Sequence, residues 1–295
     1  MISKESPKLS KNQKKELTSE SGNEDGKIDE SGEKDMTYLQ GLKNRKEIAG
    51  WNALIGFILV IIIFFASQAI SEILLSFYRI PKHWSTDQVI NWLQNSISAQ
   101  FLYVLLAESI VILAVVLFVR RYKNGLKQIG LRRPKWTDPL WGLSAVLPYF
   151  IIYFVVVGLI TYFYPSFKYD QKQQLGFDHV AANWELVLTF ISLVILPPIA
   201  EEILFRGLLY SSLKKNLPTV VAVIGTSLLF AAGHLPEGGS SGPLYIAGID
   251  TFILSLVLIL LREKTGGLGA SMTLHGLKNF VAFVFLFHAQ LQMML

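Results

Sequence analysis

Residues 98–119 read SAQFLYVLLAESIVILAVVLFV, and this run decides the fold class. A membrane-spanning helix needs about 20 consecutive, mostly apolar residues. This run meets that length with a single charged side chain, Glu108. Working outward, comparable blocks lie at residues 50–77, 139–163, 185–213, 218–235, 243–261 and 267–288. The chain therefore reads as an all-α, polytopic transmembrane helical bundle of about seven spans. The fourth block contains Pro197-Pro198. A helix broken at that pair gives a buried half-helix plus an amphipathic one, and an eight-helix count.

Composition agrees. Of 295 residues, 52% are hydrophobic and 17% charged, whereas a soluble domain has about a quarter charged. With no cysteine, disulfides, thiolate metal sites and cysteine nucleophiles are excluded. Residues 1–47 hold ten Lys/Arg and ten Asp/Glu and almost no large apolar side chains. Such a segment cannot bury enough surface to offset its chain entropy, so a disordered cytoplasmic tail is expected there. The block at 50–77 is too long for the apolar core of a signal peptide and reads as an uncleaved first span. Because the tail is neutral, the net charge of +5 belongs to residues 48–295. It reads as topology signalling and contact with anionic membrane lipids, not as nucleic-acid binding.

The loops alternate in charge. Lys43, Arg45 and Lys46 precede the first span. Arg120, Arg121, Lys123, Lys127, Arg132, Arg133 and Lys135 follow the second, Lys214 and Lys215 the fourth, and Arg262 and Lys264 the sixth. The intervening loops are poorer, with Arg79 and Lys82, then Lys168 and Lys172, then none. The positive-inside rule places the N-terminus in the cytoplasm of a multi-pass cell-membrane protein. Trp51, Trp136, Trp141, Tyr162, Tyr164 and Trp184 lie near span ends and suit an interfacial belt. The Lys-, Ile- and Asn-rich usage points to a bacterial source.

Charges inside a bilayer are costly and call for a partner or a purpose. In Glu201-Glu202-Ile203-Leu204-Phe205-Arg206, Glu202 and Arg206 are four apart and share a helix face, so they can neutralise each other. Glu201 lies about 100° round the helix and has no equally good local partner. A snorkelling pair at the interface is the structural alternative. Glu201 sits roughly 20 Å before Lys214 at helical rise, which is too deep for it. Phe230-Ala231-Ala232-Gly233-His234 ends the fifth block, and its small residues allow close backbone approach. In His275-Gly276-Leu277-Lys278-Asn279, His275 and Asn279 face the same way. Interhelical hydrogen bonding alone would account for that pair. Glu72, Glu108, Asp250 and His288 are isolated. Glu108 and Asp250 read as helix–helix contacts or cavity lining, and His83 and His179 as solvated loop residues.

A Glu, two His, an Arg and an Asn on three late spans make a hydrolytic set. Water needs a base within hydrogen-bond reach, and Glu201 suits that role with His234 orienting the same water. His275 and Asn279 are placed to donate to an oxyanion. Glu and His are also metal ligands, and Glu201, His234 and His275 are the residues a zinc ion would take, although the His-Glu-x-x-His spacing is absent. No cofactor is expected otherwise. The span boundaries put His234 nearer the outer face than Glu201 and His275, so it joins them only if the fifth span runs deeper or tilts.

Glu201-Glu202-x-x-x-Arg206, Phe230-x-x-x-His234 and His275-x-x-x-Asn279, in this order, resemble the CPBP family of CAAX proteases and bacteriocin-processing enzymes, also called Abi. The resemblance covers residues 181–290; residues 48–180 match only as generic N-terminal transmembrane helices. It implies a glutamate-dependent intramembrane endopeptidase acting on a membrane-associated or lipid-modified protein or peptide. Glu201 would be the base acting with His234, His275 and Asn279 would bind the oxyanion, and Glu202 with Arg206 would be structural. Members have been described as metalloproteases, so that label attaches to the resemblance. Non-enzymatic bacteriocin self-immunity is the alternative within the family. A proton-coupled transporter using the buried Glu and His is another, disfavoured by the lack of an internal repeat.

Overall fold

The computed structural model describes residues 51–292 apart from 172, 175 and 179. The expected disordered tail at 1–47, the loop lysine Lys172 and the loop histidine His179 lie outside the described residues.

The helices follow the apolar blocks. They are α1 (Ala53–Ser76), the amphipathic α2 (Thr86–Asn95), α3 (Ile97–Val119), α4 (Thr137–Phe163), α5 (Asn183–Asn216), α6 (Thr219–His234), α7 (Tyr245–Thr265) and α8 (Gly269–Leu286). Side-chain caps start three of them: Asn52 for α1, Ser85 with Gln88 for α2, and Ser96 for α3. Six helices are long and apolar enough to cross a membrane, so the chain is a multi-pass helical membrane protein. The seventh expected span is helical too, as α8. It is not among those six, and it carries His275, Lys278 and Asn279.

Pro197-Pro198 does not split the fourth span, so no additional helix arises from a break there. α5 runs through the pair as one helical element, with a π turn on each side of a short α segment, Leu196–Glu201. The prolines occupy the first turn of that segment, where a missing N–H is least disruptive. Wider turns absorb the backbone mismatch that would otherwise break the helix.

α5 forms the centre. Every side chain from Glu202 to Leu213 is buried, the pattern of a helix surrounded on all sides. Its neighbours are α1, α3, α6 and α8, while α4 and α7 close on α8 and α6. Small residues let these helices approach. A Cβ on Gly56 of α1 would stand 2.1 Å from Ser212 Oγ, and one on Gly142 of α4 would stand 2.6 Å from Thr273 Cβ of α8. Trp51 Nε1 donates to Ser212 Oγ at 2.6 Å, fixing the start of α1 on the end of α5.

The basic loops meet at one end of the bundle. Lys214 pairs with Glu263, Lys215 reaches Gln128 and lies over the Trp51 ring, and Arg262 donates to the Gln128 carbonyl. Arg132 bridges Asp138 and the Thr265 carbonyl. The loops after α3, α5 and α7 therefore share one face, as the alternation of charge implies.

Candidate active site

The two adjacent glutamates fall at the junction between the short α segment and the second π turn of α5. Successive helical residues point in different directions, and the two carboxyls have different surroundings. Glu202 is sealed, with 0% side-chain exposure, and so is Arg206, whose Nη1 lies 2.9 Å from Glu202 Oε1. The self-neutralising pair is therefore present. Its carboxylate also accepts from His275 Nδ1 at 3.1 Å, so Glu202 orients a second motif residue as well. Glu201 keeps 23% side-chain exposure, and its Oε2 has no hydrogen-bond partner. The nearest imidazole nitrogen, His275 Nε2, is 3.7 Å away, beyond hydrogen-bond length.

The histidine tautomers follow from their partners. A carboxylate only accepts, so His275 carries a proton on Nδ1 and turns Nε2 toward Glu201. His234 Nδ1 lies 2.9 Å from the Phe230 carbonyl and must donate to it. In the neutral ring this leaves the Nε2 lone pair free.

Phe230 ties the centre together. Its ring meets Phe205, His234 and His275 edge-on at 5.0, 4.7 and 5.8 Å, and the Arg206 guanidinium lies 4.1 Å from its centroid. His234 is thus brought to the same aromatic hub as Arg206 and His275. The fifth span extends through a 3₁₀ segment to Gly239, beyond its expected end, so His234 is not its terminal residue.

Asn279 is also at this α5–α8 contact, but its Nδ2 donates to the Leu193 carbonyl at 3.0 Å. Three further groups were not read from the sequence as part of the centre. Lys278 pairs with Asp250 at 2.9 Å, and the Tyr149 hydroxyl donates to the same carboxylate, joining α4, α7 and α8. Asp250 is thus a helix–helix contact, as expected. Lys278, three residues after His275, was the available signal. Glu237 stands 3.9 Å from His234 Nε2, and Gln173 donates to its carboxyl. Glu108 is an electrostatic neighbour of Glu201. Nothing local to Glu237 marks it, whereas Glu108 stood out as a charge within an apolar span and read as a helix contact or cavity lining.

The ligand set proposed for zinc does not assemble. Among the described residues no group of three His, Cys, Asp or Glu side chains is arranged to hold a metal ion. The Nδ1 atoms of His234 and His275 are both engaged by protein acceptors, so each ring has only Nε2 to offer a metal.

Fold and site together define a multi-pass membrane protein with a Glu–His–Arg centre built on its late helices. Residues 183–281 match the family model described as type II CAAX prenyl endopeptidase, Rce1-like. That segment runs from the start of α5 into α8, holds all the motif residues, and matches the CPBP/CAAX protease family. The family implies a CAAX-type endopeptidase, a hydrolase. No curated protein and no solved structure gives a significant match to the chain.

Proposed function

We propose that this protein is an intramembrane endopeptidase that hydrolyses a peptide bond near the C-terminus of a lipid-modified, membrane-held peptide, with Glu201 activating the water. The observation that carries this reading is the contrast between the two glutamates. Glu202 is closed to solvent and has the Arg206 guanidinium at 2.9 Å and an N–H from His275 at 3.1 Å; Glu201 is partly exposed, and its nearest imidazole nitrogen stays at 3.7 Å. A buried carboxylate with no partner is costly, and a general base must be reachable by its water.

In the proposed reaction Glu201 takes one proton from water as the oxygen bonds to the scissile carbonyl carbon. His234 holds the same water through its free Nε2. The tetrahedral intermediate collapses by breaking the C–N bond, and the proton on Glu201 passes to the leaving amine. His275, protonated on both nitrogens with its charge balanced by Glu201 and, once that carboxylate is protonated, by the oxyanion, turns Nε2–H toward it. No metal ion takes part in these steps. The exposed apolar side chains of α1 and α4, Phe65, Leu147 and Phe154 among them, supply the lipid contact that keeps enzyme and substrate in one membrane.

The test is turnover of a quenched-fluorescent peptide carrying a farnesylated cysteine, two aliphatic residues and a free C-terminus, by full-length protein in lipid vesicles. Loss of a general base costs about 10²–10⁴ in rate, so Glu201→Gln is expected to fall by that factor while its unfolding midpoint stays near wild type. Wild-type turnover by Glu201→Gln would sink the mechanism. Activity of the wild type abolished by a chelator and restored by zinc would sink its metal-free form.

A further inference from the structure

A helix carbonyl accepts from the N–H four residues on in the α register and five on in the π register. For Leu193 those residues are Pro197 and Pro198, and proline has no N–H. The Leu193 carbonyl, inside the π turn Ile191–Ile195, is therefore without an intrahelical partner in either register. In an apolar surrounding an unpaired carbonyl must find a donor elsewhere. The donor is Asn279 Nδ2 on α8, 3.0 Å away.

The surrounding contacts give that bond a consequence. Gly276 faces the neighbouring Val194 carbonyl, where a Cβ would stand 3.5 Å away, so α8 crosses α5 at the proline pair. On the same face of α8 as Asn279, His275 donates to Glu202. α8 is thus tethered on both sides of the segment Leu196–Glu201: to Leu193 before it and to Glu202 after it. Glu201 is the last residue of the segment held between the two tethers.

We infer that Asn279 is a positioning residue: its carboxamide supplies the N–H that Pro197 and Pro198 withhold from Leu193, and so fixes the segment bearing Glu201 against His275. This rests on the peptidase reading and changes the part of one residue within it. An amide directed at Leu193 braces the helix pair instead of facing an oxyanion.

The experiment is a double-mutant cycle between Asn279→Ala and the paired replacement Pro197→Ala/Pro198→Ala, which returns an N–H to Leu193 in either register. Each full-length chain is read by turnover of the farnesylated peptide and by its thermal unfolding midpoint in detergent. Asn279→Ala alone is expected to lower the midpoint and to cut kcat at least tenfold, with KM within threefold. In the proline-replaced background the same change is expected to cost less than threefold in kcat and to leave the midpoint unmoved, because Leu193 no longer needs a donor from α8. An oxyanion donor cannot be replaced by a backbone N–H on α5. Equal kcat losses in both backgrounds, or an Asn279→Ala midpoint equal to wild type, would overturn the inference. So would an Asn279→Ala chain that fails to fold with and without the proline replacements. Absence of wild-type turnover would count against the peptidase reading alone, since the midpoint cycle stands without it.

Discussion

Replacing Arg206 by Met tests whether the centre is held by charge pairing or only by packing. Arg206 and Glu202 are both fully buried and 2.9 Å apart. At an effective dielectric of about 20 that separation corresponds to an attraction of roughly 6 kcal/mol before desolvation is counted. Removing one member of such a pair strands the other charge and typically costs about 3–5 kcal/mol. The stacking of the guanidinium on Phe230 adds up to about 2 kcal/mol when desolvated. Two features offset part of this: His275 stays on the same Glu202 oxygen, and Met fills much of the vacated volume. The expected loss for Arg206→Met is therefore near the lower end, about 3 kcal/mol. Adding Glu202→Gln removes the stranded charge and still offers His275 Nδ1–H an acceptor. The double variant is expected to regain about 2 kcal/mol of that loss. Reversible unfolding in mixed micelles, followed by tryptophan fluorescence, measures all three chains. A double variant no more stable than Arg206→Met would refute the reasoning, because it would mean that Glu202 carries no charge needing the arginine.

Two further substitutions probe the hub and the helix contact beside it. Phe230→Leu removes the ring shared by Phe205, Arg206, His234 and His275; turnover of the farnesylated peptide is expected to drop at least about tenfold for a stability cost of about 1–2 kcal/mol, and unchanged turnover would show that the ring does not align the histidines. Gly142→Val places its Cβ 2.6 Å from Thr273 Cβ, so α4 must move from α8 at a cost of about 1–3 kcal/mol, read as a lower unfolding midpoint; a chain as stable as wild type would show that the two helices pack less closely than this.

The bundle was legible in the sequence because long apolar runs leave few alternatives to membrane helices. α1, α3 and α4 begin and end within a few residues of the apolar blocks. The pairing of Glu202 with Arg206 was legible for the same kind of reason: a four-residue spacing fixes a shared face. What the sequence concealed depends on long-range contact. His234 reaches the centre through the Phe230 ring that it shares with His275 and Arg206, a contact between helices, and the 3₁₀ extension after α6 lies in a glycine- and proline-rich stretch, Leu235–Ser241, that looked like a loop. The proline pair misled in the other direction. Two prolines mark a helix break by their missing N–H groups, but here π turns and a donor on α8 carry the helix through. Lys278 drew no reading of its own, because its partner Asp250 is on α7 and no local spacing joins them.

The charges of the late helices can be set against one another, and the balance singles out one group. Glu202 answers Arg206 within α5, and Asp250 answers Lys278 between α7 and α8. Each of these pairs is neutral and lies within one helix or across one contact, the arrangement that makes a buried charge tolerable. Glu201 stands outside both pairs, partly open, on the residue next to a carboxylate that is sealed. A structural role would be met by neighbours that pair with it or donate to it, as Arg206 and His275 do for Glu202. In their place Glu201 has only an imidazole held just out of reach by its own bond to Glu202. Bracing α8 on Leu193 and on Glu202 keeps that gap from closing. A carboxylate left outside the charge pairs of its neighbours, and kept from bonding that imidazole by contacts on either side, is the group free to take a proton from water.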